Sequence, residues 1–153
     1  MANGSTRYFI PKLGAIWEKY IDLSWLLVRG MYGYFFIPHG MQKLFGLWGG
    51  SLAGTAAYFD KIYLTPGWFW APYIGCLELF GGFLILIGLF TRPVALLFAG
   101  FMFVAETYAN VPFGYFWTKS GIEMPILLFV LSLAILIRGG GPYSLDRKWG
   151  REF

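Results

Sequence analysis

Charge is scarce in this chain. Of its 153 residues, 12 are Lys or Arg and 8 are Asp or Glu, 13% in all, about half the ~25% usual in soluble domains. There is one cysteine, Cys76, which excludes a disulfide scaffold. There is one histidine, His39. That argues against a bis-histidine haem, and a lone His with scattered carboxylates lacks the ligand spacing of a metal site. The net charge is +4 but gathers into no basic patch, so nucleic acid is not an expected partner. Gly139-Gly140-Gly141 follows a helical pattern rather than a strand, so it is no dinucleotide or phosphate loop, and no nucleophile motif appears. Alternating apolar and polar residues are missing as well, which removes a membrane β-barrel. What is present is apolar side chain, 58% of residues and 22% aromatic. Disorder is thereby excluded, and an integral membrane protein remains.

A bilayer crossing takes ~20 mostly apolar residues, and helices satisfy the backbone there. Four segments qualify if each is allowed a charge: about 24–45, 66–90, 93–110 and 121–137. The expected fold class is all-α, a four-helix membrane bundle. Thr65 is read as an N-cap with Pro66 at the first helical position, and Gly139-Gly140-Gly141-Pro142 closes the fourth helix. Residues 1–23 read as a soluble or interfacial arm. They carry Arg7, Lys12 and Lys19 without the apolar core of a signal peptide. Residues 46–65 have room for a short amphipathic helix with Leu52, Ala56 and Phe59 on one side. Phe90-Thr91-Arg92-Pro93 makes a tight turn between helices two and three, and residues 139–153 form a tail. Arg7, Lys12, Lys19, Arg92, Arg138, Arg147, Lys148 and Arg151 fall on one face, and Lys43, Lys61 and Lys119 on the other. This asymmetry places both termini in the cytoplasm. Trp17, Trp48, Trp68, Trp70, Trp117 and Trp149 lie near helix ends, as in an aromatic belt.

Ionisable groups inside apolar helices are costly, so they need partners or water and are functional candidates. On helix one Arg29, Tyr32, Phe36, His39 and Lys43 step by three and four and share a face. Pro38, beside His39, is expected to kink the helix. On helix two Gly75, Glu78 and Gly82 line a groove of small residues around a carboxylate. Arg29 and Glu78 are read as a structural ion pair. His39, Gln42, Lys43, Glu106, Asn110 and Glu123 fall at similar depth near the outer ends of helices one, three and four. They suggest a ligand or proton-handling pocket, the alternative being a solvated rim.

His39-Gly40-Met41-Gln42-Lys43-Leu44-Phe45-Gly46 followed by Gly49-Gly50-Ser51-Leu52-Ala53-Gly54-Thr55-Ala56-Ala57-Tyr58-Phe59, then Glu78-Leu79-Phe80-Gly81-Gly82 through Thr91-Arg92, Gly121-Ile122-Glu123-Met124-Pro125 and Gly141-Pro142-Tyr143-Ser144-Leu145-Asp146 resemble, in order, the signatures of the DoxX family. The resemblance runs from about Arg29 to Asp146. It implies a multi-pass, four-helix protein of the prokaryotic cytoplasmic (inner) membrane. Relatives are linked to thiosulfate:quinone oxidoreduction as the membrane subunit, and to thiol-oxidative-stress complexes. The chain departs from the pattern at Tyr108 and Asn110, where many members have a histidine nearby, and at Met124, where an aromatic is common.

Three functions compete. The first is a quinone-binding membrane subunit of a redox complex, with His39, Lys43, Glu106 and Glu123 as candidate catalytic groups and His39, Gln42, Lys43, Phe36 and Tyr108 around the quinone. Such a subunit uses no haem and no metal of its own, and electrons come through other protein subunits or directly from substrate. The second is a non-catalytic anchoring or assembly subunit, in a homo-oligomer or larger complex, with a basic tail suited to anionic lipid. The third is a small transporter, for which four helices are few and no inverted repeat is visible.

Overall fold

The computed structural model describes residues 8–152, the side chain of Glu106 excepted. All regular structure among these residues is helical. Helix α1 spans Pro11–Phe45, α2 Leu52–Lys61, α3 Gly67–Ile87 and α4 Thr91–Phe113, α5 Glu123–Arg138 and α6 Leu145–Trp149. Two of them, α3 and α4, are long and apolar enough to cross a membrane.

Several ends differ from the sequence expectation. Helix α1 begins at Pro11, with proline where a first-turn N–H would be unsatisfied anyway. The residues read as a separate arm are therefore helical from that point. It also runs unbroken through Pro38. Helix α3 starts one residue late, since Pro66 occupies the N-cap position and Thr65 caps nothing. It stops at Ile87 because Gly88 takes a left-handed conformation, φ 72°. The turn into α4 accordingly falls at residues 88–90, ahead of the expected one. The amphipathic piece is present as α2, capped by the Ser51 hydroxyl, which accepts the Gly54 N–H at 3.1 Å, and it buries Phe59.

Helices α1 and α3 run antiparallel in close contact. Gly33 lies against the carbonyl oxygen of Gly82, and a Cβ on Gly40 would meet the Gly75 carbonyl at 2.8 Å. Each helix contributes glycines seven residues apart, two turns of one face, so backbones approach where no side chain intervenes. Helix α4 packs along α5. Tyr32, Phe36, Phe98, Met102, Leu128 and Ile135 form the core between the two helix pairs. The Phe36 and Phe98 rings sit 4.3 Å apart, and the Tyr32 hydroxyl pairs with that of Ser132 across to α5.

One end of this assembly is tied by polar bonds. The buried Asp146 carboxylate accepts the N–H groups of Phe90 (2.8 Å) and Thr91 (2.9 Å) at the start of α4, where a helix offers its first N–H groups no acceptor. Trp25 Nε1 donates to the Gly139 carbonyl at 3.1 Å, and the Arg138 guanidinium lies 4.7 Å over the Trp25 ring.

Candidate functional site

Antiparallel packing decides which charges meet. Side chains on a helix lean toward its N-terminus. Opposite the Gly40–Gly75 contact, Lys43 leans from one side and Glu78 from the other. Lys43 Nζ donates to both Glu78 carboxylate oxygens, at 2.8 and 2.6 Å. The Glu78 side chain is 4% exposed and that of Lys43 19%, so the pair is nearly sealed from water. Glu78 also sits in a five-residue stretch of wider π-helical turn, Leu77–Gly81. Such bulges are frequent at functional positions. A second one, Ala105–Asn110, carries Glu106.

Arg29 does not pair with Glu78, contrary to the sequence expectation. The same lean toward the start of α1 carries it away from Glu78, to the last turn of α3. There Nη1 donates to the carbonyls of Ile85 and, at 2.9 Å, of Leu86, and Nη2 to that of Tyr143 at 2.9 Å. The Ile85 carbonyl also accepts the Gly88 N–H at 3.1 Å, and the fully buried guanidinium adds further donors at this helix end. Arg29 is thus a helix cap and a tie to the tail. The sequence did hold a usable signal: Gly33 and Gly40 on one helix and Gly75 and Gly82 on the other share a seven-residue spacing that sets the register.

Lys43 lines one of two concavities. This is a polar cleft of about 400 Å³ lined also by Gln42, Ser51, Thr55 and Tyr58. The other is an apolar groove of about 330 Å³ between α3 and α4, closed at one end by α2 and its following loop. Its walls include Ile62, Trp70, Ile74, Leu97, Gly100 and Phe101. Phe59 lines both spaces. A Cβ on Gly100 would touch nothing within 4 Å, so the groove is open at that point.

The other expected site residues scatter. Gln42 joins Lys43 at the cleft. His39 is exposed, its ring 5.1 Å from that of Phe35, and the shared face of helix one is buried only at Arg29, Tyr32 and Phe36. Phe36 belongs to the core at 2% exposure, enclosed by Tyr32 and Phe98, so no ligand can stack on it. Tyr108 is exposed and lines neither space. Glu123 accepts the Trp117 N–H at 3.0 Å, and the Asn110 amide donates to the Ser120 carbonyl at 2.6 Å. Both therefore hold the α4–α5 loop. The side chain of Glu106 lies outside the described residues. Among the described residues no three His, Cys, Asp or Glu side chains gather in a way that could hold a metal. Sequence reasoning missed the groove.

The DoxX family profile matches residues 24–111. A Bacillus subtilis protein named "Putative oxidoreductase CatD" is 31% identical over 84% of this chain and 89% of its own length. The Escherichia coli inner membrane protein YqjF is 32% identical over 89% of this chain and 99% of its own. An uncharacterized membrane protein of Mycobacterium tuberculosis is 28% identical over 84% of this chain and 83% of its own. No solved structure matches. With α3 and α4 able to cross a bilayer and membrane proteins among its relatives, this chain belongs to the DoxX family.

Proposed function

We propose that the protein is a quinone-binding subunit of a redox complex in a prokaryotic cytoplasmic membrane. In this reading α1, α3, α4 and α5 are its four crossings and both termini are cytoplasmic. The observation that carries it is the apolar groove beside the polar cleft, with Phe59 as the shared wall. A volume of about 330 Å³ lies within the ~300–1,000 Å³ of small-molecule sites. A quinone ring with the first part of its tail suits an apolar slot between membrane helices, and its carbonyls need donors at one end. Those donors stand at the cleft: Lys43, Gln42 and Tyr58. Bound there, a quinone supplies two-electron, two-proton redox chemistry. Lys43 spends two of its three N–H donors on Glu78, leaving one for a ligand oxygen. The ion pair with Glu78 fixes the Lys43 ammonium at the cleft, where a ligand oxygen can accept from it. The relative named as an oxidoreductase supports the redox reading. The orientation rests on Arg92, Arg138, Arg147 and Lys148 at the end where the tail docks, against Lys61 and Lys119 at the other.

Gly100→Trp tests this directly, because Gly100 lines the groove and a Cβ there meets nothing within 4 Å. In lipid nanodiscs the parent should bind a short-tailed quinone saturably, seen as quenching of tryptophan fluorescence or by calorimetry. The variant should keep its helix content and melting behaviour and lose at least tenfold in affinity. Equal binding by both proteins, or none by the parent, refutes the proposal.

A further inference from the structure

Helix α1 is far longer than its neighbours. At ~1.5 Å per residue its 35 residues reach about 52 Å, against a hydrocarbon thickness of ~30 Å. Its contacts with α3 end near Arg29, and Trp25 marks the level of the loop after α5. The 14 residues 11–24 therefore continue about 21 Å past the bundle. That extension is not polar all round.

Leu13, Trp17, Tyr20, Ser24, Leu27, Met31 and Tyr34 step by four and three without a break over three heptads, and Ile10 at the N-cap sits one step earlier. Every one is exposed, the apolar ones at 39–63%. The flanking positions, Gly14, Ile16, Ile21, Leu23, Val28 and Gly30, are uncharged too. The stripe lies opposite the face that Trp25, Arg29, Tyr32 and Phe36 bury in the bundle, since residues two apart differ by ~200° around a helix. Lys12, Glu18, Lys19 and Asp22 all stand off it.

We propose that α1 is the seam of a parallel homodimer, a two-stranded left-handed coiled coil. It would begin in the membrane between two bundles and continue beyond it. The strict alternation of three and four is the period of such a seam. Lipid contact explains an apolar face only within the bilayer, whereas this stripe keeps its period along turns that project from it. Two copies inserted in one direction align in parallel, so each position faces its own counterpart. A seam and flanks free of charge then bring no like charges together. The two-fold axis closes the assembly at two chains. This inference is independent of the quinone reading and rests only on membrane insertion.

Single-cysteine cross-linking in membrane vesicles tests it, in a Cys76→Ser background. Leu13→Cys and Tyr20→Cys, on the seam, should form disulfide-linked dimers under a mild oxidant at least fivefold faster than Glu18→Cys and Asp22→Cys on the opposite side. Leu13 and Tyr20 touch nothing in the bundle, so folding should persist. Should a variant fail to fold, native mass spectrometry of the unsubstituted chain in nanodiscs must show two copies. Equal rates on both faces, a single-copy mass, or cross-links to a different protein overturn the proposal.

Discussion

Removing Lys43 alone should be far more harmful than removing the whole Lys43–Glu78 pair. In Lys43→Met the Glu78 carboxylate, 4% exposed, loses both of its observed donors. An uncompensated buried charge costs about 3–5 kcal/mol when one partner of an ion pair is deleted. Insertion scales put a lone charge at mid-membrane near ~2.5–3.5 kcal/mol. A loss of about 3 kcal/mol is therefore expected, a factor of roughly 150 in the folding equilibrium. Glu78→Gln should be milder, about 1–2 kcal/mol, because the Lys43 side chain is 19% exposed and can turn its ammonium to the cleft. In the double variant Lys43→Met/Glu78→Gln no charge is stranded. Replacing a buried pair by groups of similar volume is often neutral, so its stability should fall within about 1 kcal/mol of the parent. The assay is reversible unfolding in mixed micelles, with tryptophan fluorescence as readout and the three variants forming a thermodynamic cycle. A double variant as unstable as the sum of the two single ones would show that the charges do not act on each other, and the reasoning fails.

Other outcomes follow from separate parts of the molecule. Gly40→Leu should destabilise by at least ~1–3 kcal/mol, since its Cβ meets the backbone of Gly75 and Leu79 and only helix separation relieves overpacking of that kind; Gly100→Ala should unfold at the parent's midpoint. Asp146→Ala should lose two charge-assisted bonds to the Phe90 and Thr91 amides, about 1.5–3 kcal/mol each at most, and limited trypsin digestion should then cut after Arg147 or Lys148 at least tenfold faster than in the parent. Glu106→Gln should leave the melting curve of the purified protein unchanged while slowing quinone-coupled turnover in membranes, whereas Glu78→Gln should shift the melt; matching effects from both would show that the two carboxylates do not divide structural from proton-handling work.

What could be read from residues alone divides along physical lines. The helices α3, α4 and α5 were legible because a bilayer demands long apolar runs, and composition reports those directly. The facing stripe of α1 was legible at Arg29, Tyr32 and Phe36 because a period near 3.6 is a local property of one chain segment. It failed at His39, six residues from the end of α1, which is exposed although Gly40 beside it is buried against α3. Partner choice was not legible from depth, since depth alone pairs Arg29 with the nearest acid. Depth ignores the direction in which each side chain leans, and in an antiparallel pair that lean carries Lys43 and Glu78 together and Arg29 away. Four glycines could have corrected the error, because Gly33 against Gly82 and Gly40 against Gly75 fix a register. That register puts Arg29 level with the last carbonyls of α3. The apolar groove was beyond such reasoning altogether. It exists because α2 and its loop close a gap that α3 and α4 leave between them, and a gap has no residue of its own to announce it.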